Sequence, residues 1–142
     1  MNRFEEALND LVEIPVTNNM QASFEMFARD NGMGNLYLIS ATISDIQHFL
    51  RVRYWYIAQC EGFVNPIDLL LFKLAIYKGV HFATQHLQAT IGCVPTGAWN
   101  EFSAAALADS DINKVIYSME FAIKGVLTEI KSKDVSMITV VL

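Results

Sequence analysis

An all-α single domain with an extended C-terminal tail is the architecture this sequence predicts, on three observations. Five segments carry apolar residues at the three-and-four spacing of a helix. One of them, Ile67–Ile91, is apolar on nearly every face, the mark of a helix buried all round. Strand-type composition is confined to the last few residues, so almost nothing reads as sheet. The 142 residues are one domain's worth of chain. They divide into a helical domain over residues 1–134 and a tail over 135–142.

The first helix is expected over Asn2–Glu13, with Phe4, Ala7, Leu8, Leu11 and Val12 on one stripe. Pro15 stops it, because the residue before a proline avoids the helical region. Thr17 or Asn18 caps a second helix carrying Met20, Phe24 and Phe27, which ends at Asn31-Gly32. Residues 32–39 read as a loop or a short extended piece. Ser44 and Asp45 open a third helix with Ile46, Phe49, Leu50, Tyr54 and Ile57 on one face, closing near Glu61-Gly62. Asn65-Pro66 starts the fourth, a capping side chain followed by a proline whose missing N–H costs nothing there. Asp68 in its first turn suits the helix dipole. This fourth segment, Ile67–Ile91, is the expected central helix.

Pro95 and Gly97 place a turn region over Gly92–Asn100, before a short helical turn over Glu101–Ala108. Asp109, Ser110 and Asp111 offer caps for the last helix, where Ile112, Val115, Ile116, Met119, Ile123, Val126, Leu127 and Ile130 keep the helical spacing. Beyond it, Val135–Leu142 is uncharged and β-branched. An all-α domain has no strand to offer such a segment. The tail is therefore expected to pair outside the chain, with other protein subunits, the alternative being that it packs along a groove on its own helices.

Composition narrows the function. Apolar residues make up 53% and charged residues 18%, which excludes a disordered or disulfide-stapled chain. It also suggests apolar surface that a partner covers. A formal charge of −5 excludes the electrostatic footprint of a nucleic-acid binder and any attraction to anionic lipid. The start, Met1–Val12, lacks the apolar run of a signal peptide, so synthesis in the cytoplasm is expected. Lys73, Lys78, His81, Gln85, His86 and Gln88 interrupt the most apolar stretch too often for a membrane span. Cys60 and Cys93 lack metal or CxxC spacing and read as buried thiols in a reducing compartment. His81 and His86 are five apart, wrong for two ligands on one helical face, and His48 is distant in sequence; no metal and no cofactor are expected. The serines give no nucleophile elbow and the glycines no phosphate loop.

Three stretches carry a family resemblance. They are Arg51-Val-Arg53-Tyr54-Trp55; then Asp68-Leu-Leu-Leu-Phe72 with Ala75, Gly79, Ala83, Leu87-Gln88 and Ile91-Gly92; and Thr96-Gly97-Ala-Trp99-Asn100-Glu101-Phe-Ser103 running on to Ala106-Leu107. In order, they resemble the phage-type N-acetylmuramidases of glycoside hydrolase family 108, lysozyme-like enzymes that cut peptidoglycan. The likeness spans Asn2 to Ser132 and implies a lysozyme-like helical fold. It also implies a site at the end of the first helix, where the family has a catalytic Glu opening Glu-Gly-Gly, an acidic hairpin and a Thr-Asn pair. Glu13 occupies the corresponding helix end, and Thr17-Asn18 lies on the Thr-Asn pair. Only Ile14, Pro15 and Val16 stand between them, without the glycines or the hairpin.

That departure bears on the chemistry. Glycoside cleavage needs an acid on the leaving oxygen and a second carboxylate, or a positioned water, on the other side of the sugar. After Glu13 the next carboxylate is Glu25, well into the second helix. Two readings of Glu13 stay open, a general acid assisted by Thr17 or a solvated helix-end carboxylate. Arg51, Arg53, Tyr54 and Trp55 either line a saccharide groove or pack on the central helix, and Trp99 in its turn either contacts a ligand or does not. The expected function is a non-catalytic muramidase-like subunit of a phage virion or tail assembly. The alternative is an active muramidase, an endolysin or virion lysozyme, with Glu13 as general acid and peptidoglycan as substrate.

Overall fold

The computed structural model describes residues 1–141; Leu142, the last residue of the expected tail, lies outside the described residues. Helix α1 spans Arg3–Leu11. The Asn2 side chain accepts the Glu5 N–H at 2.8 Å and the Glu5 carboxylate accepts the Asn2 N–H at 3.3 Å, a reciprocal cap. The helix stops two residues earlier than its stripe suggests. Val12 turns to φ +66° while its N–H still bonds to the Leu8 carbonyl at 2.9 Å. Glu13 therefore opens a short strand, β1 (Glu13–Pro15), instead of closing a helix. That corrects its expected position at a helix end.

Thr17 caps α2 (Asn18–Asp30), its hydroxyl accepting the Met20 N–H at 3.1 Å. Thr42, not Ser44, caps α3 (Ile43–Leu50) in the same way, through the Asp45 N–H. The chain then winds into a wider π turn over Arg51–Trp55, closed by the Tyr56 N–H on the Arg51 carbonyl at 2.9 Å. Phe24, Phe27 and Phe49 pack between α2 and α3 with ring centroids 5.2–6.0 Å apart.

The expected central helix is two helices. Gly79, at φ +97°, ends α4 (Ile67–Lys78) and starts α5 (Val80–Thr90). A glycine adopts that backbone without the penalty a Cβ brings. Both helices feed the core, α5 through Ala83, Thr84, Leu87 and Gln88. Ile67, Leu71, Phe72, Leu74, Ala75 and Ile76 of α4 are in the core, while Phe82 on α5 is exposed. Asn65 makes no capping bond at the head of α4, where Pro66 is the boundary residue. Asp68 in the first turn is 2% exposed and takes two 2.8 Å bonds from Arg3 of α1. A buried carboxylate requires such a partner.

Asn100 caps α6 (Glu101–Ala108) and Asp111 caps α7 (Ile112–Ser132). Val115, Met119, Ile123 and Ile130 of α7 are buried, and α7 packs on α4 and α5. No helix of the described residues is long and apolar enough to cross a membrane.

The tail departs most from expectation. Met137–Thr139 forms β2, antiparallel to β1, with Glu13 opposite Thr139, Ile14 opposite Ile138 and Pro15 opposite Met137. The Val140 N–H bonds to the Val12 carbonyl and the Val16 N–H to the Ser136 carbonyl, each at 2.8 Å. By the alternation of antiparallel pairs, Pro15 falls at a position that needs no N–H. Val140 is 0% exposed and its carbonyl accepts the Gln47 side chain at 2.7 Å. The premise that the chain offers the tail no strand is thus corrected. The early end of α1 creates one, and the tail pairs within its own domain.

Candidate functional site

A cleft of about 490 Å³ lies where four elements meet. Thr17, Met20 and Ser23 come from the start of α2, and Arg53, Tyr54 and Ile57 from the π turn and the residues after it. Ile76 to Val80 come from the α4–α5 break, and Glu129, Ile130 and Lys133 from the end of α7, with Val135 beyond it. The break at Gly79 is what opens the wall here, since a continuous helix would carry its side chains straight across.

The expected site residues divide. Thr17 lines the cleft, though its hydroxyl already serves as the α2 cap. Arg53 lines it too. Its Nη2 bonds to Asp30 at 2.7 Å, while its Nε is buried with no hydrogen-bond partner among the described residues. Tyr54 lines the floor, 7% exposed, its hydroxyl 3.3 Å from the Met20 sulfur. Burial pushes its phenol up, partly offset by the Ser23 hydroxyl.

Trp55 is elsewhere. It is 0% exposed, edge-on to Phe4 and Phe72, and donates from Nε1 to Glu61 at 2.7 Å. Of its two readings, Trp55 takes the packing one, against Phe72 of the central helix, and not a place in a saccharide groove: the wide turn aims it into the core while Arg53 and Tyr54 line the cleft. Arg51 lies over the rings of Phe4 and Tyr56, at 5.3 and 5.4 Å.

Glu13 is half-buried in the ladder and is not part of the cleft wall. Tyr77 connects the two regions. It lines the cleft, and the carboxylates of Glu13 and Asp10 act on its phenol, which burial first and these charges second push up to about 12. Asp10 is itself held by Lys73 at 2.8 Å. The one carboxylate in the cleft wall, among the described residues, is Glu129, which Lys133 holds at 3.3 Å. A glycosidase that works through a carboxyl pair sets the two groups roughly 5–9.5 Å apart across the sugar. No such pair faces this cleft.

Trp99 is half-buried against Phe63, with centroids 4.9 Å apart, on the wall of a second cavity of about 440 Å³. The sequence reading missed Tyr77, Lys78, Glu129 and Lys133. The first three lie inside long helices and Lys133 directly follows one, and the available signal was Gly79 in the middle of an apolar run. Among the described residues, no three His, Cys, Asp or Glu side chains come together as metal ligands. Cys60 is buried, which pushes its thiol up, and Cys93 is half-buried; both are free.

The chain matches no protein-family model and no curated protein sequence. Among solved structures, SagA of Brucella abortus has the same fold, with a TM-score of 0.69 over 88% of this chain and 79% of SagA, at 16% sequence identity.

Proposed function

We propose that the chain is a muramidase-like protein of the glycoside hydrolase family 108 type. It binds the glycan of peptidoglycan in the cleft without cleaving it, and serves as a non-catalytic subunit of a phage virion or tail assembly. The observation that carries this reading is the β1–β2 ladder. It places Glu13 in a strand paired with the chain's own tail, outside the cleft wall, where the resembled family has a catalytic hairpin. The ordered motifs at Arg51–Trp55, Asp68–Gly92 and Thr96–Leu107 support the family, and Arg53 and Tyr54 lining the cleft support retained sugar contacts. Exposed aromatics support a subunit covered by neighbours: Tyr117 and Phe121, 72% and 69% exposed, stack on the outer face of α7.

One observation favours the second reading, an active muramidase with Glu13 as general acid. Tyr77 lines the cleft and feels the charge of Glu13, which keeps that carboxylate within electrostatic reach of a bound sugar. Co-sedimentation with purified cell walls, combined with an assay for released reducing ends, separates the two. The proposal expects sedimentation without release, and weakened sedimentation in Arg53→Gln. Release of reducing ends by the native chain favours the enzyme, and failure to sediment removes the glycan reading altogether.

A further inference from the structure

We infer that the outer face of α7 pairs with the same face of a second copy of this chain, the two helices running antiparallel about a two-fold axis at Tyr117. This rests on the part of the proposed function in which a neighbour covers the exposed aromatics, and it names that neighbour. Helix α7 buries Val115, Met119, Ile123 and Ile130 on one side and turns Tyr117 and Phe121 out on the other, their ring centroids 6.3 Å apart. Lys114, Glu120 and Lys124 surround the two rings, all exposed, and none forms an ion pair among the described residues.

The charges of this face change sign about Tyr117. Lys114 lies three residues before it and Glu120 three after; Asp109 and Asp111 lie eight and six before it, and Lys124 seven after. In an antiparallel pair centred on Tyr117, each residue faces the one equally far from the centre on the opposite arm. Glu120 then meets the partner's Lys114, and Lys124 meets the partner's Asp109 and Asp111. The two-fold axis makes every such contact twice, which is the self-complementarity an isologous interface requires. A parallel pair would set each charge against itself. A rim of alternating sign also suits neither a uniformly acidic nor a uniformly basic partner.

Gly125 is an independent sign. It is exposed in the interior of α7, four residues after Phe121, with open space where a Cβ would be. A glycine there weakens the helix relative to alanine, and no neighbour among the described residues requires one. In the antiparallel pair it faces the partner's Asp109, in the turn between α6 and α7, and the missing side chain lets that backbone come close. The two rings supply roughly 300 Å² of apolar surface per copy. With the charges around them, that makes an interface at the small end of the specific ones, and so a dissociation constant in the micromolar range.

Sedimentation equilibrium of the full chain, from micromolar to near-millimolar concentration, tests this. The average mass should climb from one chain towards two, and added salt should weaken the pair by screening its exposed charges. Phe121→Ser should weaken association by about tenfold or more, as loss of a central aromatic does. Glu120→Lys and Lys114→Glu should each weaken it roughly tenfold, by setting like charges together twice, with the helical circular dichroism unchanged. The double variant carrying both exchanges should recover to within about threefold of the native chain, because opposite charges meet again. Lys114 and Glu120 are six residues apart on α7, not the three or four that pair within a helix, so recovery reports contact between copies. Gly125→Gln should raise the Tm and weaken association. A chain that stays single at every concentration, or a double variant no better than the single ones, overturns the inference. None of these residues lines the cleft, so a native chain that pairs but fails to sediment with cell walls removes the glycan reading and leaves the pair standing.

Discussion

The seam between α1 and α4 and the ladder between β1 and β2 fix the two ends of α1 by different physics. The seam is held by side chains: Phe4 against Trp55 and Phe72, and Arg3 on the buried Asp68. The ladder has three residue pairs, flanked by two backbone bonds and anchored by Val140. The seam therefore carries stability, while the ladder decides what Glu13 faces. A carboxylate fixed in a strand beside Thr139 is presented differently from one at a helix end over a sugar. The two regions thus divide the work, one holding the helices together and the other setting the surroundings of Glu13.

The strongest break should come in the core against which the seam packs. Leu71→Ala or Leu74→Ala, both at most 1% exposed, should each cost about 2–5 kcal/mol in denaturant unfolding. Changes below about 1 kcal/mol in both would mean that α4 is not the centre of the fold.

Ending the chain at Asp134 should cost less, roughly 2–4 kcal/mol, from the buried Val140 and the lost ladder bonds. The shortened chain should stay helical by circular dichroism. An unchanged midpoint would mean that the tail is not docked on β1.

An alkaline titration sharpens the comparison at Tyr77. Its phenol ionises near 10 when unfolded and near 12 when folded, so the neutral form is favoured by the fold. That preference costs nothing below pH 10; stability is then lost as pH rises from 10 to 12, where only the unfolded chain gives up the proton. Tyr77→Phe should flatten the decline in that window relative to the native chain. Parallel curves would mean that the phenol is not buried beside Glu13 and Asp10.

The smallest effect is expected at Glu13 itself. Glu13→Gln should shift stability by less than about 0.5 kcal/mol, since the ladder uses its backbone and no ion pair holds its carboxylate among the described residues.

What the sequence showed follows from range. The short helix at Glu101–Ala108 and the caps at Thr17 and Asp111 were readable because a helix is specified within a few residues. The break at Gly79 was obscured by apolar residues on both sides, which fit one buried helix as well as two. The ladder was invisible for a different reason. It joins Glu13 to Thr139, and no local pattern announces a pairing across that separation. Arg53 and Trp99 were singled out because their residue types suit sugars, and each lines a cavity wall. Trp55 stayed undecided between groove and core because the motif's spacing cannot say which way a π turn aims each side chain, and Tyr77 was passed over as one more residue in an apolar run.

The proposal that this chain is muramidase-like and does not cleave glycan is tested most directly by the turbidity of a purified cell-wall suspension. Native chain and Glu13→Gln should be followed side by side. The account predicts no clearing by either beyond that in buffer. Clearing by the native chain that disappears in Glu13→Gln would contradict it, and would restore Glu13 as a general acid.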